Sequence, residues 1–182
     1  MALARLLNES EIDIAVEILR AGGVVAVRTE TVWGLCANLE NGNKLYAAKR
    51  RPADKSLVMQ FADLDSAKAY FKKDLGAGEE QLFKTYGGKI TVVLKNNIAV
   101  RIPEDPIIKS ILEKIQPLYV TSANISGEAD AKKWEIVLKT LGGVIDAIVK
   151  SPEILCGIPS TIVKIEAQGV KIIRQGAAEI KG

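Results

Sequence analysis

The fold is constrained most by the stretch 24–57, VVAVRTETVWGLCANLENGNKLYAAKRRPADKSL. It opens on an apolar run, residues 24–27, bounded by Gly22 and Gly23, which reads as a buried strand. Three small polar side chains follow at once: Thr29, Glu30 and Thr31. A short helix over about 43–51 then carries Lys49, Arg50 and Arg51 at its end, and Lys55 follows in the loop. Pro52 disfavours helical geometry at Arg51 and stops the helix there. Residues two apart on a helix do not share a face, so Lys49 and Arg51 can meet one ligand only if the helix ends between them. A strand end rich in hydroxyls would then face a cationic loop, a setting suited to a polyanion with a small polar appendage. Charge runs at helix ends are as readily solvated, and cations there also favour the negative end of the helix dipole. This stretch alone leaves both readings open.

The rest of the chain tells what kind of sheet this strand joins. A helix capped by Ser10 is expected to about 21, a strand over 57–61, and helices over about 63–71 and 79–86. ITVVL at 90–94 is a strong β run, turned by Asn96-Asn97 into a hairpin partner over 99–102. A helix follows Pro106 to about 115, LYVTSANISG is a strand entering a turn, 134–141 is helical and 147–149 a short strand. Residues 161–165 and 170–174 form a second hairpin across EAQG. Helices and strands interleave irregularly around two hairpins, which indicates an α/β fold with a twisted, mixed parallel/antiparallel sheet. No linker or repeat interrupts the chain, so 1–182 is expected to be a single domain, long enough to bury a sizeable core.

Composition removes several chemistries. The chain has no histidine, which excludes Ser-His and Cys-His nucleophile pairs and takes away the commonest metal ligand. Its two cysteines, Cys36 and Cys156, form no CxxC pair, so neither a disulfide framework nor a structural zinc is expected. A net charge of +3 permits a nucleic-acid partner without arguing for one. No run approaches the length of a membrane span and the first residues are too polar for a signal peptide; no membrane association is expected, and a cytoplasmic location is.

Polar residues fall at strand ends, where open α/β sheets bind ligands. Ser122 and Asn124, two apart after a strand, would point the same way in extended backbone, or would simply make a Ser/Asn turn before Gly127. Ser160 begins a strand and Arg174 ends one; a turn hydroxyl and a surface arginine are the plainer readings. Together Lys49, Arg51, Lys55, Arg101 and Arg174 make five cations available for one site. Without histidine or a carboxylate pair, such a site suits phosphoryl or nucleotidyl transfer, where the protein positions reactants and stabilises charge. No P-loop GxxxxGK[ST] and no GxGxxG is present.

The segments RTETVWGL, AAKRRPADKSL, ITVVL, VRIP, VTSANISG, PSTIVKI and IIRQG occur in the order found in the YrdC/TsaC family of threonylcarbamoyl-AMP synthases, which the chain resembles over nearly its whole length. The resemblance implies a twisted mixed sheet with a basic concave face. It implies ATP-dependent synthesis of threonylcarbamoyl-AMP from L-threonine and bicarbonate with release of pyrophosphate, a nucleotidyltransferase reaction. The product would serve tRNA threonylcarbamoyladenosine modification through downstream tRNA threonylcarbamoyl-transferase proteins, and direct contact with tRNA is a further expectation. The family's signature falls on Lys49, Arg51, Ser122 and Asn124 as catalytic and ATP-binding residues. By the same resemblance Thr29, Thr31, Lys55, Arg101 and Ser160 would surround threonine and its carbamate, Arg174 would face the phosphates, and Mg²⁺ would accompany ATP, with no metal site of the protein's own. Arg28 and Ser56 stand where proline is usual, and Gly87-Gly88 replaces part of a stiffer turn. Arg28 is thereby an extra cation within reach of the substrate carboxylate. The alternative is a non-catalytic RNA-binding paralogue, for which an aromatic fraction of 5% offers few stacking platforms.

Overall fold

The structure, a computed structural model, describes residues 3–52 and 55–180; Ala53 and Asp54 of the cationic loop lie outside the described residues. Among the described residues the strands are β1 (Arg5–Leu7), β2 (Val25–Val27), β3 (Gly34–Asn38), β4 (Val58–Gln60), β5 (Ile90–Val93), β6 (Ala99–Arg101), β7 (Leu118–Ser122), β8 (Ala147–Val149), β9 (Thr161–Glu166) and β10 (Gly169–Arg174). The α-helices are α1 (Ile12–Arg20), α2 (Asn43–Lys49), α3 (Leu64–Phe71), α4 (Ala77–Tyr86), α5 (Pro106–Leu112) and α6 (Trp134–Leu141). The strands form one sheet in the order β1-β8-β2-β3-β7-β4-β6-β5-β9-β10. Pairing is parallel at β1/β8, β2/β8, β4/β6 and β5/β9 and antiparallel elsewhere, the mixed sheet that the two hairpins require.

Side-chain alternation along the strands sorts the core into layers. On one face Ala26, Leu35 and Ala37 pack with Leu45 and Ala48 of α2 and Val137 and Leu141 of α6. Met59, Ile90, Val92 and Val100 pack on the same face under α3 and α4, and Tyr119 joins the two clusters. The other face is covered by α1 and α5 only over β1, β8, β2, β3 and β7, through Leu7, Val25, Val27, Cys36, Val120 and Val149. Beyond β7 that face carries Val58, Gln60, Ala99, Arg101, Thr91, Val93 and Ile162, and these line a cavity instead of a helix. The candidate site is therefore the half of the sheet left uncovered.

Two strands were not expected from the sequence. β1 is three residues long at the sheet edge, and β3, GLCAN, is small-residued and lacks alternation because both its faces are buried. Ser10 does not cap the first helix: it lies inside a 3₁₀ turn, Glu9–Glu11, that precedes α1 and is itself capped by Asn8, whose backbone N–H donates to the Glu11 carboxylate at 2.8 Å. The helix of the cationic stretch ends at Lys49, two residues before Arg51, because Arg50 takes the left-handed conformation with φ 50°. Pro52 follows the stop but is not itself the stop.

Candidate active site

The early break in α2 separates its three cations. Lys49 is buried, Arg50 is exposed, and Arg51 turns toward the open sheet face. The Lys49 ammonium, 1% exposed, donates to Asn124 O and Asn124 Oδ1 at 2.7 Å each, makes a short contact with Ser122 O and lies 3.4 Å from Ser122 Oγ. Ser122 Oγ in turn donates to Asn124 Oδ1 at 2.7 Å. Lys49, Ser122 and Asn124 are thus one hydrogen-bonded unit joining α2 to the turn after β7. Three ammonium protons meet four oxygens, so Lys49 is fully engaged by the protein.

The cavity beside this unit has a volume of about 390 Å³. Arg51, Lys55, Arg101 and Arg174 all line it, with Thr29, Ser122 and Ser160, over an apolar floor that includes Val58 and Val120. Four of the five expected cations therefore meet in one hollow, and the fifth, Lys49, sits behind Ser122. Arg51 is held by its own loop, Nε donating to Lys55 O at 3.2 Å and Nη2 to Ser56 O at 3.0 Å. Arg174 donates from Nη2 to Ser160 O at 2.6 Å, and the Ser160 hydroxyl lies 2.8 Å from that of Thr91. Burial pulls the Arg174 guanidinium below its usual range; Asp130 acts the other way, and Arg101 and Arg51 push it down further. Arg51, Arg101 and Arg174 thus lie near enough to repel one another.

Thr29 and Thr31 brace rather than open the site. The Thr29 hydroxyl donates to Val32 O at 2.7 Å, so in its 3.0 Å contact with Thr31 Oγ1 the proton comes from Thr31. Thr31 Oγ1 also accepts from Arg101 Nη2 at 2.8 Å, and Thr31, 1% exposed, lines none of the cavity. Arg28 does not reach the cavity either. Its buried guanidinium lies 3.3 Å from Asp105, 3.8 Å from Glu9 and in contact with Glu153, on a second hollow lined by Glu30, Glu104, Asp105 and Cys156. Burial lowers its pKa, but the three carboxylates outweigh burial and raise it. Nε and Nη1 are not aligned for hydrogen bonds, so these are ion pairs by proximity. Arg28 is neutralised there and does not compete for a substrate carboxylate in the cavity.

Sequence reading missed two residues. Gln60, 2% exposed, lines the cavity with a buried Oε1 that has no hydrogen-bond partner among the described residues, a ready acceptor. Asp130 is the carboxylate acting on both Lys49 and Arg174. The register pairing Gln60 with Arg101 across β4 and β6 could have been sought from the sequence; Asp130, in a loop, gave no signal.

These features define an α/β protein with a cationic, hydroxyl-bearing cavity on the open half of a mixed sheet. Residues 17–176 match the Sua5/YciO/YrdC family, described as telomere recombination, and the chain belongs to that family. A Methanocaldococcus jannaschii protein, provisionally named threonylcarbamoyl-AMP synthase, is 31% identical over 96% of this chain and 92% of its own length. Bacillus subtilis threonylcarbamoyl-AMP synthase is 30% identical over 93% of this chain, which spans only 54% of that relative. Among solved structures, Pyrococcus abyssi Sua5 complexed with L-threonine superposes with a TM-score of 0.84 at 26% identity, covering 97% of this chain and 57% of its own. Escherichia coli YciO shares the fold at a TM-score of 0.85 and 21% identity, over 100% of this chain and 98% of its own.

Proposed function

We propose that this chain joins L-threonine, bicarbonate and ATP into threonylcarbamoyl-AMP, releasing pyrophosphate, for the modification of tRNA. The observation that supports this best is the meeting of Arg51, Lys55, Arg101 and Arg174 with Ser122 and Ser160 in one cavity of about 390 Å³. The cations line a concave hollow rather than a flat face, which favours a small polyanion over an RNA backbone.

The chemistry needs no strong base. The threonine amine adds to carbon dioxide derived from bicarbonate and loses a proton, giving an anionic carbamate. A carbamate oxygen then attacks the α-phosphorus and the bond to pyrophosphate breaks. The protein must hold two anions together and neutralise charge on the leaving group. Arg51, Lys55 and Arg174 are suited to the phosphates. Arg101, with Ser160, suits the threonine carboxylate, and Gln60 Oε1 offers an acceptor for the threonine hydroxyl. Thr29 has its proton committed to Val32, so its part is to fix the Thr31–Arg101 pair. Lys49 holds Ser122 and Asn124 in place. Mg²⁺ usually takes one or two carboxylates plus substrate phosphates, and Asp130, near enough to act on Lys49 and Arg174, is the carboxylate that would help hold an ion carried in on the nucleotide. When bound, it would add to the neutralisation of the pyrophosphate.

Purified protein with ATP and Mg²⁺ is expected to release pyrophosphate only when both L-threonine and bicarbonate are present. Arg51→Ala should lower that rate by roughly 10²–10³-fold. Arg50→Ala should leave it unchanged, because Arg50 is exposed at the helix cap. Release that ignores threonine contradicts the proposal.

A further inference from the structure

Glu30 is a carboxylate paired with Arg101 that the reaction above does not use. Its Oε1 accepts from Arg101 Nη2 at 2.7 Å, and its Oε2 accepts the backbone N–H of Asp105 at 3.2 Å. Arg101, 5% exposed, also donates from Nε to Gly88 O at 2.8 Å and from Nη2 to Thr31 Oγ1 at 2.8 Å. Every one of these bonds uses Nε or Nη2, so Nη1 is the nitrogen of the guanidinium outside the set. Gly88 closes the arrangement: a Cβ there would overlap Glu30 Oε1. The second glycine of the Gly87-Gly88 turn thus leaves the room in which the Glu30 carboxylate sits.

We infer that Glu30 is a positioning residue, and Gly88 its steric companion, that together fix which edge of Arg101 a bound amino acid meets. Resting on the proposed function, this means that Arg101 presents one nitrogen, Nη1 with its two N–H groups, to the substrate carboxylate rather than a fork of two nitrogens. Glu30 also offsets the charge of Arg101 at that end of the cavity. The triphosphate end, with Arg51, Lys55 and Arg174, keeps its full charge. The two anionic substrates are thereby offered ends of unequal charge in one hollow.

The test is binding, measured by calorimetry with L-threonine and, separately, ATP. Glu30→Gln is nearly isosteric, but its carboxamide has one oxygen for two donors, Arg101 Nη2 and the Asp105 N–H. L-threonine should bind roughly 10- to 100-fold more weakly, the range for losing one hydrogen bond to a charged group, with ATP affinity unchanged. Gly88→Ala should weaken threonine similarly by displacing Glu30. In a Glu30→Ala background, where the Glu104 backbone nitrogen at 3.0 Å still crowds the new Cβ, adding Gly88→Ala should cost far less than it does alone. Threonine affinity equal to wild type in Glu30→Gln overturns the inference. So does an equal loss for both ligands, which would mark a purely structural pair. If the unaltered protein binds no threonine, the functional reading is what fails, and a crystal structure of Glu30→Gln decides this inference. Arg101 leaving Gly88 O supports it, and an unmoved Arg101 overturns it.

Discussion

At Lys49, burial and the neighbouring Arg51 guanidinium draw the ammonium down to about 8, with Asp130 acting the other way. The unfolded chain keeps that proton to about 10.5. Between these values the unfolded state holds a proton that the folded state has lost, so this group makes stability rise with pH across the window. Below about 8 both states hold it and the contribution is flat. Ligand binding runs the opposite way, because the ammonium is a cation behind Ser122. ATP affinity, followed by calorimetry from neutral to alkaline pH, should fall as pH rises through about 8. Arg51→Ala should move that midpoint upward by removing a repulsion, and an unmoved midpoint would contradict the coupling. The i, i+2 relation of Ser122 and Asn124 allowed them to point the same way, with a plain Ser/Asn turn as the other reading; that Lys49 belongs with them was implied only by the family resemblance. Arg28 was misread for a simple reason. Its sequence neighbours are site residues, but its partners Glu9, Asp105 and Glu153 come from distant segments that no local pattern reveals.

Among the elements, the β9–β10 hairpin carries the Arg174 end of the cavity on little support. Every residue of β10 is exposed, and its one strand neighbour is β9. The hairpin is tied down at its base by the buried Thr161 hydroxyl, which donates to Ala178 O at 2.7 Å and accepts from Gly176 N at 2.9 Å and Ala178 N at 3.0 Å. Gly176 passes so close to Pro159 and Ser160 that a Cβ would overlap their backbone. Thr161→Val keeps the shape but leaves three backbone groups without their partner. It should cost about 1–3 kcal/mol in denaturant unfolding and weaken ATP binding by loosening Arg174. Unchanged stability would mean that the hairpin is anchored elsewhere. This hairpin was plain in the sequence because its two β runs flank a short polar turn. β3 was not, because a strand buried on both faces loses the alternation by which strands are recognised, and GLCAN offers no β-branched residue in its place.

At the scale of the molecule, the site exists because α1 and α5 cover only part of one sheet face. Cations from the end of α2, from β6 and from β10 reach the uncovered part from three directions. The sequence order of motifs was enough to expect their meeting. What it could not give was depth: Thr31, Lys49 and Asn124 stand behind the cavity wall, while Gln60 stands in it. Among the described residues no helix is long and apolar enough to cross a membrane. The central claim is that one hollow holds a triphosphate beside a small hydroxylated amino acid. Its most direct test is a crystal structure of the protein with L-threonine and a non-hydrolysable ATP analogue. The account predicts the phosphates among Arg51, Lys55 and Arg174 and the threonine carboxylate at Arg101, within the same cavity. Either ligand bound on another face, or both excluded from the hollow, would contradict it.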